Sequence, residues 1–218
     1  MRNLLKKILH PFLKFITGQY FSKPRKYQYK GIDVLVHPEV FPPHYTISTK
    51  VLLDHVDTLK LENKSLLELG CGSGIISLFA ASKGADVVAS DINNKALEYL
   101  SEASKKNRLP INIIHSDLFS NIKNASFDYV IINPPYYPKT PLSIKEQAWF
   151  CGENFEYFQN LFQQLSIRSD KNVLMILSED CQIETIKNIA NENSMSLISI
   201  LEKTVLKEKN HIFKIENL

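Results

Sequence analysis

The sequence predicts an α/β fold built on a doubly wound, mostly parallel sheet of seven strands. Two observations lead to this prediction. From residue 65 onward, short apolar runs typical of buried strands alternate with longer segments of helical periodicity. The last two apolar runs are joined by the short segment 206–209, which predicts a closing hairpin and therefore one antiparallel strand in the sheet.

The individual elements follow from the same patterns. The predicted strands of the sheet are residues 65–69, 86–90, 111–115, 127–132, 173–177, 197–205 and 210–215. The predicted helices are residues 74–82, 93–107, 152–167 and 183–193, with an earlier helix capped by Thr46 or Ser48 and running to about residue 59. Residues 31–218 form the predicted main domain.

A short N-terminal extension precedes this domain. Apolar residues recur at helical spacing from Leu4 to Ile16 with lysines opposite, which predicts an amphipathic helix. Residues 22–30 are predicted as a basic connector, and the alternation at 32–36 predicts an edge strand or β-hairpin.

Charge separates the extension from the domain. Residues 1–30 contain eight Lys or Arg and no acid, whereas the remainder contains 18 basic and 23 acidic residues. This basic N-terminal arm could bind an RNA or protein substrate, pack on the domain as a lid, or lie on an anionic membrane. Tyr27 and Tyr29 could stack on bases or occupy a strand.

Composition narrows the class of protein. Hydrophobic residues make up 44% of the chain and charged residues 22%, as in globular proteins, and no apolar run is long enough for a transmembrane segment or a secretory signal. Three widely spaced cysteines form neither a disulfide framework nor a metal-ligand pattern, so no metal site is expected. A cytoplasmic location is the expectation.

A glycine loop follows the first strand of the domain. Gly70, Gly72 and Gly74 lie between an apolar strand and a helix, where glycines allow positive φ and close approach to a ligand. Their spacing fits neither a P-loop nor the dinucleotide fingerprint. Asp91 lies 21 residues past Gly70, at the end of the second strand, where a carboxylate can accept ribose hydroxyls. The alternative is a tight turn beside a solvated aspartate.

These residues resemble the corresponding motif of Rossmann-like class I S-adenosylmethionine-dependent methyltransferases. The resemblance implies that Glu68 lies near the methionine amino group and that Gly70, Gly72 and Gly74 line the methionine and ribose. It further implies that Asp91 holds the ribose, Ile92 packs on adenine, and Asp117, with Leu118 beside it, meets the adenine amino group. Asp117 could instead cap a helix over residues 118–121.

A second motif, Asn133-Pro134-Pro135-Tyr136, follows the fourth strand, 63 residues after Gly70. The Asn133 side-chain carbonyl and the Pro134 backbone carbonyl can accept the N–H bonds of a planar amino group, and Tyr136 can stack on it. Catalysis would then consist mostly of alignment, with no strong general base. The alternative is a proline-stiffened turn that closes the strand.

This motif looks like that of N-methyltransferases acting on adenine, cytosine or glutamine side chains. The segment Val40-Phe41-Pro42-Pro43 is similar to one that leads into HemK-like enzymes. Residues 151–155 resemble their Gly-Gly-x-Asp-Gly segment but carry Cys151 for one glycine and Asn154-Phe155 for Asp-Gly. The loop 137–150 is predicted to form a substrate lid.

The sequence therefore predicts an S-adenosylmethionine-dependent methyltransferase acting on an amide or exocyclic amino nitrogen, in a protein glutamine or a nucleic-acid base. The alternatives are a non-catalytic S-adenosylmethionine-binding or assembly module and a small-molecule methyltransferase. The acceptor and the oligomeric state stay open.

Overall fold

The computed structural model describes residues 22–123 and 126–218. Within these ranges the strands are Arg25–Tyr29 (β1), Ile32–Val36 (β2), Ser65–Leu69 (β3), Asp86–Asp91 (β4), Asn112–His115 (β5), Tyr129–Ile132 (β6), Asn172–Ser178 (β7), Met195–Val205 (β8) and Glu208–Asn217 (β9). The α-helices are Ile47–Thr58 (α1), Ile75–Ser82 (α2), Asn94–Asn107 (α3), Ile144–Gln147 (α4), Glu156–Leu165 (α5) and Ile183–Glu192 (α6). The amphipathic helix predicted for residues 4–16 lies outside the described ranges.

Strands β3 to β9 form one sheet in the order β5-β4-β3-β6-β7-β9-β8. Neighbours from β5 to β7 are parallel, and β9 runs antiparallel to both β7 and β8. The prediction of a seven-stranded sheet with one antiparallel strand is confirmed. Because the winding reverses between β3 and β6, a crevice opens beyond the carboxyl ends of these two strands.

The core has one layer on each face of this sheet. On β3, Leu66 points into the cluster formed with α1, α2, α3 and the N-terminal hairpin. Leu67 and Leu69 point into the opposite cluster, where Phe158 and Phe162 of α5 are fully buried. A strand covered on both faces is expected to be mostly apolar, as β3 is, and this explains why its bounds were predicted from the sequence.

The N-terminal hairpin pairs β1 with β2 around a two-residue turn. Lys30 and Gly31 have φ values of 43° and 85°, as a type I′ turn requires. The prediction of a basic connector over residues 22–30 was wrong for residues 25–29, because these residues form β1. Tyr29 packs edge-on against Phe79 and donates a hydrogen bond to Asp54 at 3.0 Å, so it is a strand residue packed on the domain.

Two further boundaries differ from prediction. The helix expected from residue 152 begins at Glu156, because the backbone of Gly152 and Phe155 has positive φ. The closing hairpin turns within Leu206 and Lys207 alone, so Glu208 already pairs with β8. No helix in ranges 22–123 and 126–218 has the length and apolar character needed to cross a membrane.

Candidate functional site

A cavity of about 300 Å³ lies in the crevice beyond β3, β4 and β6. The structure brings eight of the predicted site residues onto its wall: Glu68, Gly70, Gly72, Asp91, Ile92, Asp117, Leu118 and Asn133. Gly74, Pro134 and Tyr136 are not among the lining residues. Two motifs that are 63 residues apart in the sequence thus converge on one site.

Asp91 fixes the glycine loop from the end of β4. Its Oδ2 accepts a hydrogen bond from the Gly72 N–H at 2.7 Å, and its Oδ1 accepts one from the Asn93 N–H at 2.8 Å. Burial raises the pKa of the Asp91 carboxyl, and the two backbone N–H groups act in the opposite direction. Each carboxylate oxygen keeps a second lone pair for a ligand hydroxyl.

Gly74 has a structural role behind the cavity rather than a place on its wall. It precedes α2 with φ 69°, and a Cβ atom there would lie 2.2 Å from Leu100 Cδ1 of α3. Glycine is therefore required for the turn and for the close approach of α3. Gly72, by contrast, lines the cavity beneath Val40 and Phe41.

Glu68 is a buried carboxyl group at the base of the cavity, with 5% of its surface exposed. Its Oε2 accepts hydrogen bonds from the Ser77 backbone N–H at 2.8 Å and from the Ser77 hydroxyl. Burial raises the pKa of the Glu68 carboxyl to about 8. The group both holds the first turn of α2 and lines the cavity.

Asp117 and Leu118 form the wall beyond β5. Leu118 has φ 47°, a left-handed conformation that is unusual for a bulky side chain. Residues 118–121 form turns, so the alternative of Asp117 as a helix cap does not apply. Tyr157 of α5 lies against the same wall, and its phenol pKa is raised by burial and then by Asp91 and Asp117.

Asn133, on the cavity wall, has an unpaired hydrogen-bond acceptor. Its Nδ2 donates a hydrogen bond to Thr49 Oγ1 at 3.4 Å, whereas its Oδ1 is buried without a hydrogen-bond partner. A buried carbonyl without a partner is costly, so a bound group that donates an N–H to it would be favoured. The role of this oxygen as the hydrogen-bond acceptor for a planar amino group stays a prediction from the sequence.

The Tyr136 side chain lies in the core rather than on the cavity wall. It is 9% exposed, packs edge-on against Tyr137, and is absent from the cavity wall. Burial raises the pKa of the Tyr136 phenol. Pro134 is also buried, and it is Pro135 that contributes to the wall. The stacking of Tyr136 on an acceptor stays a prediction; in this structure the ring packs in the core beside the cavity.

The loop 137–150 forms the roof of the cavity. Its ends are joined where the Tyr137 N–H donates to the Trp149 carbonyl at 3.1 Å and the Cys151 N–H donates to the Tyr137 carbonyl at 3.0 Å. Trp149 also contacts the ring of Phe41, with centroids 4.6 Å apart. Loop residues on the wall are Pro141, Ile144, Gln147, Ala148 and Phe150.

The cavity is acidic. Five carboxyl side chains line it, and within the described ranges no Lys, Arg or His does so: the five are Glu39, Glu68, Asp91, Asp117 and Glu156. Sequence reasoning missed Glu39, Glu156 and Tyr157. The position of Glu39 directly before the Val40-Phe41 segment was the one local signal for it, whereas Glu156 and Tyr157 are placed by the packing of α5.

Solved structures show the same fold. The chain superimposes on a methyltransferase of Pyrococcus furiosus with a TM-score of 0.66 at 17% identity, over 96% of this chain and all of that one. It superimposes on a chain of the E. cuniculi Mtq2–Trm112 complex with a TM-score of 0.62 at 23% identity, over 83% and 99%. The fold is therefore that of the Rossmann-like methyltransferases.

Sequence comparison identifies the family. Residues 31–148 match the methyltransferase small domain, and the chain belongs to this family. It is 41% identical over 110 residues to a Methanocaldococcus jannaschii protein named as a protein N5-glutamine methyltransferase, covering 50% of this chain and 53% of that one. It is 30% identical over 187 residues to the release factor glutamine methyltransferase of Borreliella burgdorferi, covering 79% and 64%.

A third relative is named for a different acceptor. The chain is 28% identical over 208 residues to the ribosomal RNA small subunit methyltransferase C of Buchnera aphidicola, covering 94% of this chain and 56% of that one. The chain thus spans between about half and two thirds of the length of these curated relatives.

Proposed function

We propose that this protein transfers a methyl group from S-adenosylmethionine to an amide or exocyclic amino nitrogen. One observation supports this most directly: Asn133, a residue of the wall that the glycine loop and Asp91 also line, has a buried Oδ1 without a hydrogen-bond partner. An acceptor oxygen in this position suits an incoming N–H group better than a hydroxyl or thiol nucleophile that needs a base.

The cofactor assignment rests on the charge and shape of the cavity. Five carboxyl groups and the absence of basic side chains among its described lining residues suit a cationic ligand without phosphate. Asp91 would hold the ribose hydroxyls, and Glu68 the methionine ammonium group. Ile92, Asp117 and Leu118 would contact the adenine, and Gly70 and Gly72 would border the methionine and ribose. When bound, S-adenosylmethionine supplies an electrophilic methyl group on a sulfonium.

The residues of the chain act on the acceptor nitrogen by alignment. Asn133 Oδ1 would accept one N–H of the acceptor, and the Pro134 backbone carbonyl would accept the other. Both oxygens stabilise the positive charge that develops as the nitrogen gains the methyl group. The excess proton then leaves to solvent, so no strong base is needed. Tyr136 would support the Asn133 loop from the core.

The proposal also specifies the class of molecule that accepts the methyl group. The Asn133-Pro134-Pro135-Tyr136 motif and the two flanking segments support a HemK-like enzyme, and relatives are named for protein glutamine and for ribosomal RNA. The acidic cavity favours a polypeptide amide, because the phosphates of a nucleic acid would be repelled near it. These named acceptors also support a cytoplasmic site of action.

A methyl-transfer assay tests the proposal. The protein is incubated with S-adenosylmethionine carrying a tritiated methyl group and with total protein, total RNA or the small-molecule pool of cells that lack the enzyme. Label in protein that resists mild alkali but is released as N-methylglutamine on proteolysis supports a glutamine acceptor; label in RNA supports a base. Cofactor binding without transfer to any fraction would establish the alternative of a non-catalytic binding or assembly module.

The basic arm is proposed to contribute to substrate binding. β1 packs against the domain, and Arg25 pairs with Val36, three residues before Glu39 of the cavity wall. The start of β1 therefore pairs with the end of the strand that leads to the cavity wall. Deletion of residues 1–21, which leaves β1 intact, should raise KM for the macromolecular acceptor and reduce its salt dependence. An unchanged KM would favour the alternatives of a packed lid or a membrane-bound segment.

A further inference from the structure

We propose that Thr49, held by Thr46, is a positioning residue that fixes the orientation of the Asn133 amide. This inference rests on the proposed function, because it concerns how the Asn133 carbonyl comes to face the cavity. An asparagine side chain has two nearly isosteric orientations, and only one of them presents Oδ1 to an acceptor N–H.

Two successive hydrogen bonds connect the start of α1 to Asn133 at the end of β6. Asn133 Nδ2 lies 3.4 Å from Thr49 Oγ1, and Thr49 Oγ1 lies 2.8 Å from Thr46 Oγ1. Thr49 is 4% exposed, so water does not compete freely for its hydroxyl. Thr49 and Asn133 are 84 residues apart in the sequence, so these hydrogen bonds link the start of α1 to the candidate catalytic loop.

Thr46 does not act as an ordinary helix cap. It occupies the N-cap position of α1 with an extended backbone, yet its hydroxyl makes no bond to a backbone N–H of the first turn. A threonine at an N-cap normally accepts such a bond, which stabilises the helix. Here the hydroxyl contacts the Thr49 hydroxyl instead, three residues into the same helix. Helix formation alone does not explain this choice.

Either hydroxyl can donate in the Thr46–Thr49 hydrogen bond, and the proposal assigns the proton to Thr49, with Thr46 as its acceptor. When Thr49 donates its single hydroxyl proton to Thr46, its remaining lone pairs can interact favourably only with a donor. Asn133 must then turn Nδ2 toward Thr49, which directs Oδ1 into the cavity. Without Thr46 as its acceptor, the Thr49 hydroxyl could donate to Oδ1 just as well, and the amide would populate the reversed orientation.

Three substitutions separate this role from simple packing. Thr49→Val keeps the shape and removes the hydroxyl; Thr49→Ser keeps the hydroxyl; Thr46→Val removes the acceptor of the Thr49 proton. Thr58→Val is the matched control, since Thr58 is an exposed threonine of the same helix whose hydroxyl bonds only the His55 carbonyl. We expect Thr49→Val to lower kcat roughly tenfold, Thr46→Val to lower it less, and Thr49→Ser and the control to stay near wild type.

The same variants are compared by calorimetric titration of S-adenosylmethionine and by the side-chain amide resonances of ¹⁵N-labelled protein. The pair of amide-proton resonances that belongs to Asn133 is identified by its absence from the spectrum of Asn133→Ala. In Thr49→Val we expect this pair to shift while the cofactor Kd changes by less than about twofold. An unmoved Asn133 pair, or a wild-type kcat in Thr49→Val, would overturn the proposal, as would a loss confined to the KM of the acceptor. If the wild type methylates no fraction, the proposed function has failed, and the amide resonances alone decide whether Thr49 orients Asn133.

Discussion

Glu68 accepts hydrogen bonds from both the backbone N–H and the hydroxyl of Ser77, so one buried carboxyl group joins the end of β3 to the first turn of α2. The same group faces the cavity. Its burial favours the protonated form in the folded protein, whereas a bound cationic group favours the ionised form. Folding and ligand binding therefore act on this carboxyl in opposite directions.

The first prediction concerns the pH dependence of stability. The folded-state pKa of Glu68, about 8, lies above its ordinary value of 4.5, so between these values the folded state binds a proton that the unfolded state does not. The contribution of Glu68 to stability is thus fully present below about pH 4.5 and is lost as pH rises toward 8. Glu68→Gln should remove this dependence, which has a limiting slope of about 1.4 kcal/mol per pH unit.

Urea unfolding at intervals across this pH range measures the effect. Glu192→Gln, an exposed change at the end of α6, controls for the general loss of a negative charge. A pH profile for Glu68→Gln that parallels the wild type would contradict the assignment of a raised pKa to this group.

The second prediction concerns Asn133. Asn133→Ala should lower kcat by about 10²-fold, because the acceptor nitrogen loses a pre-oriented oxygen that stabilises its developing charge. The Kd for S-adenosylmethionine should stay near the wild-type value, since Asn133 is placed to contact the acceptor. Single-turnover methyl transfer and calorimetric titration give the two quantities. Asn193→Ala, which removes a helix-end amide outside the cavity, is the control.

The third prediction concerns Asp91. Asp91→Asn should weaken binding of S-adenosylmethionine by roughly 10- to 100-fold, because an amide cannot accept hydrogen bonds on both sides as the carboxylate does. The Gly72 N–H or the Asn93 N–H would then lose its partner, and the glycine loop would shift. Asp86→Asn, at the exposed start of the same strand, should bind normally in calorimetric titration. Equal affinities for the two variants would rule out Asp91 as a cofactor ligand.

The fourth prediction separates two contributions to the loss of stability when a glycine of the loop is replaced, namely backbone strain and steric overlap. Gly70 and Gly74 both have positive φ, but a Cβ at Gly70 meets nothing within 4 Å, whereas one at Gly74 would lie 2.2 Å from Leu100 Cδ1. Gly70→Ala should therefore lose about 1–2 kcal/mol of folding free energy from backbone strain alone. Gly74→Ala should lose about 1–3 kcal/mol more from overpacking. Adding Leu100→Val in the Gly74→Ala background should recover part of that difference, as chemical unfolding would show.

The central strands β3, β6 and β7 were predictable because they are buried on both faces and their apolar runs are bounded by turns. The positions of the side chains in the candidate site were harder to predict from the sequence. Glu68, Asp91 and Asn133 sit at strand ends, where the carboxyl edge of a parallel sheet brings them together. Tyr136 lies two residues beyond a buried proline, and nothing local determines which way its ring points. The closing hairpin was predicted with a connection over residues 206–209, which is two residues too long, because Leu206 and Lys207 have positive φ without the glycine or asparagine that normally signals a two-residue turn.

The final prediction concerns Phe155, which has φ 60° at the N-cap of α5. The segment that it ends is similar to one with glycine at this position, and the left-handed backbone gives the physical reason for that glycine. The Phe155 ring is 8% exposed, so its packing compensates for the strain of a bulky residue there. Phe155→Gly and Phe155→Ala should both destabilise the fold, but the glycine variant should be the more stable by about 1 kcal/mol, because only glycine relieves the strain.

At Phe158, inside α5, the order should reverse, since alanine is favoured over glycine in a helix by about 1 kcal/mol. Chemical unfolding of the four variants measures both differences, and the same order at both positions would show that the Phe155 backbone is not held in the left-handed conformation.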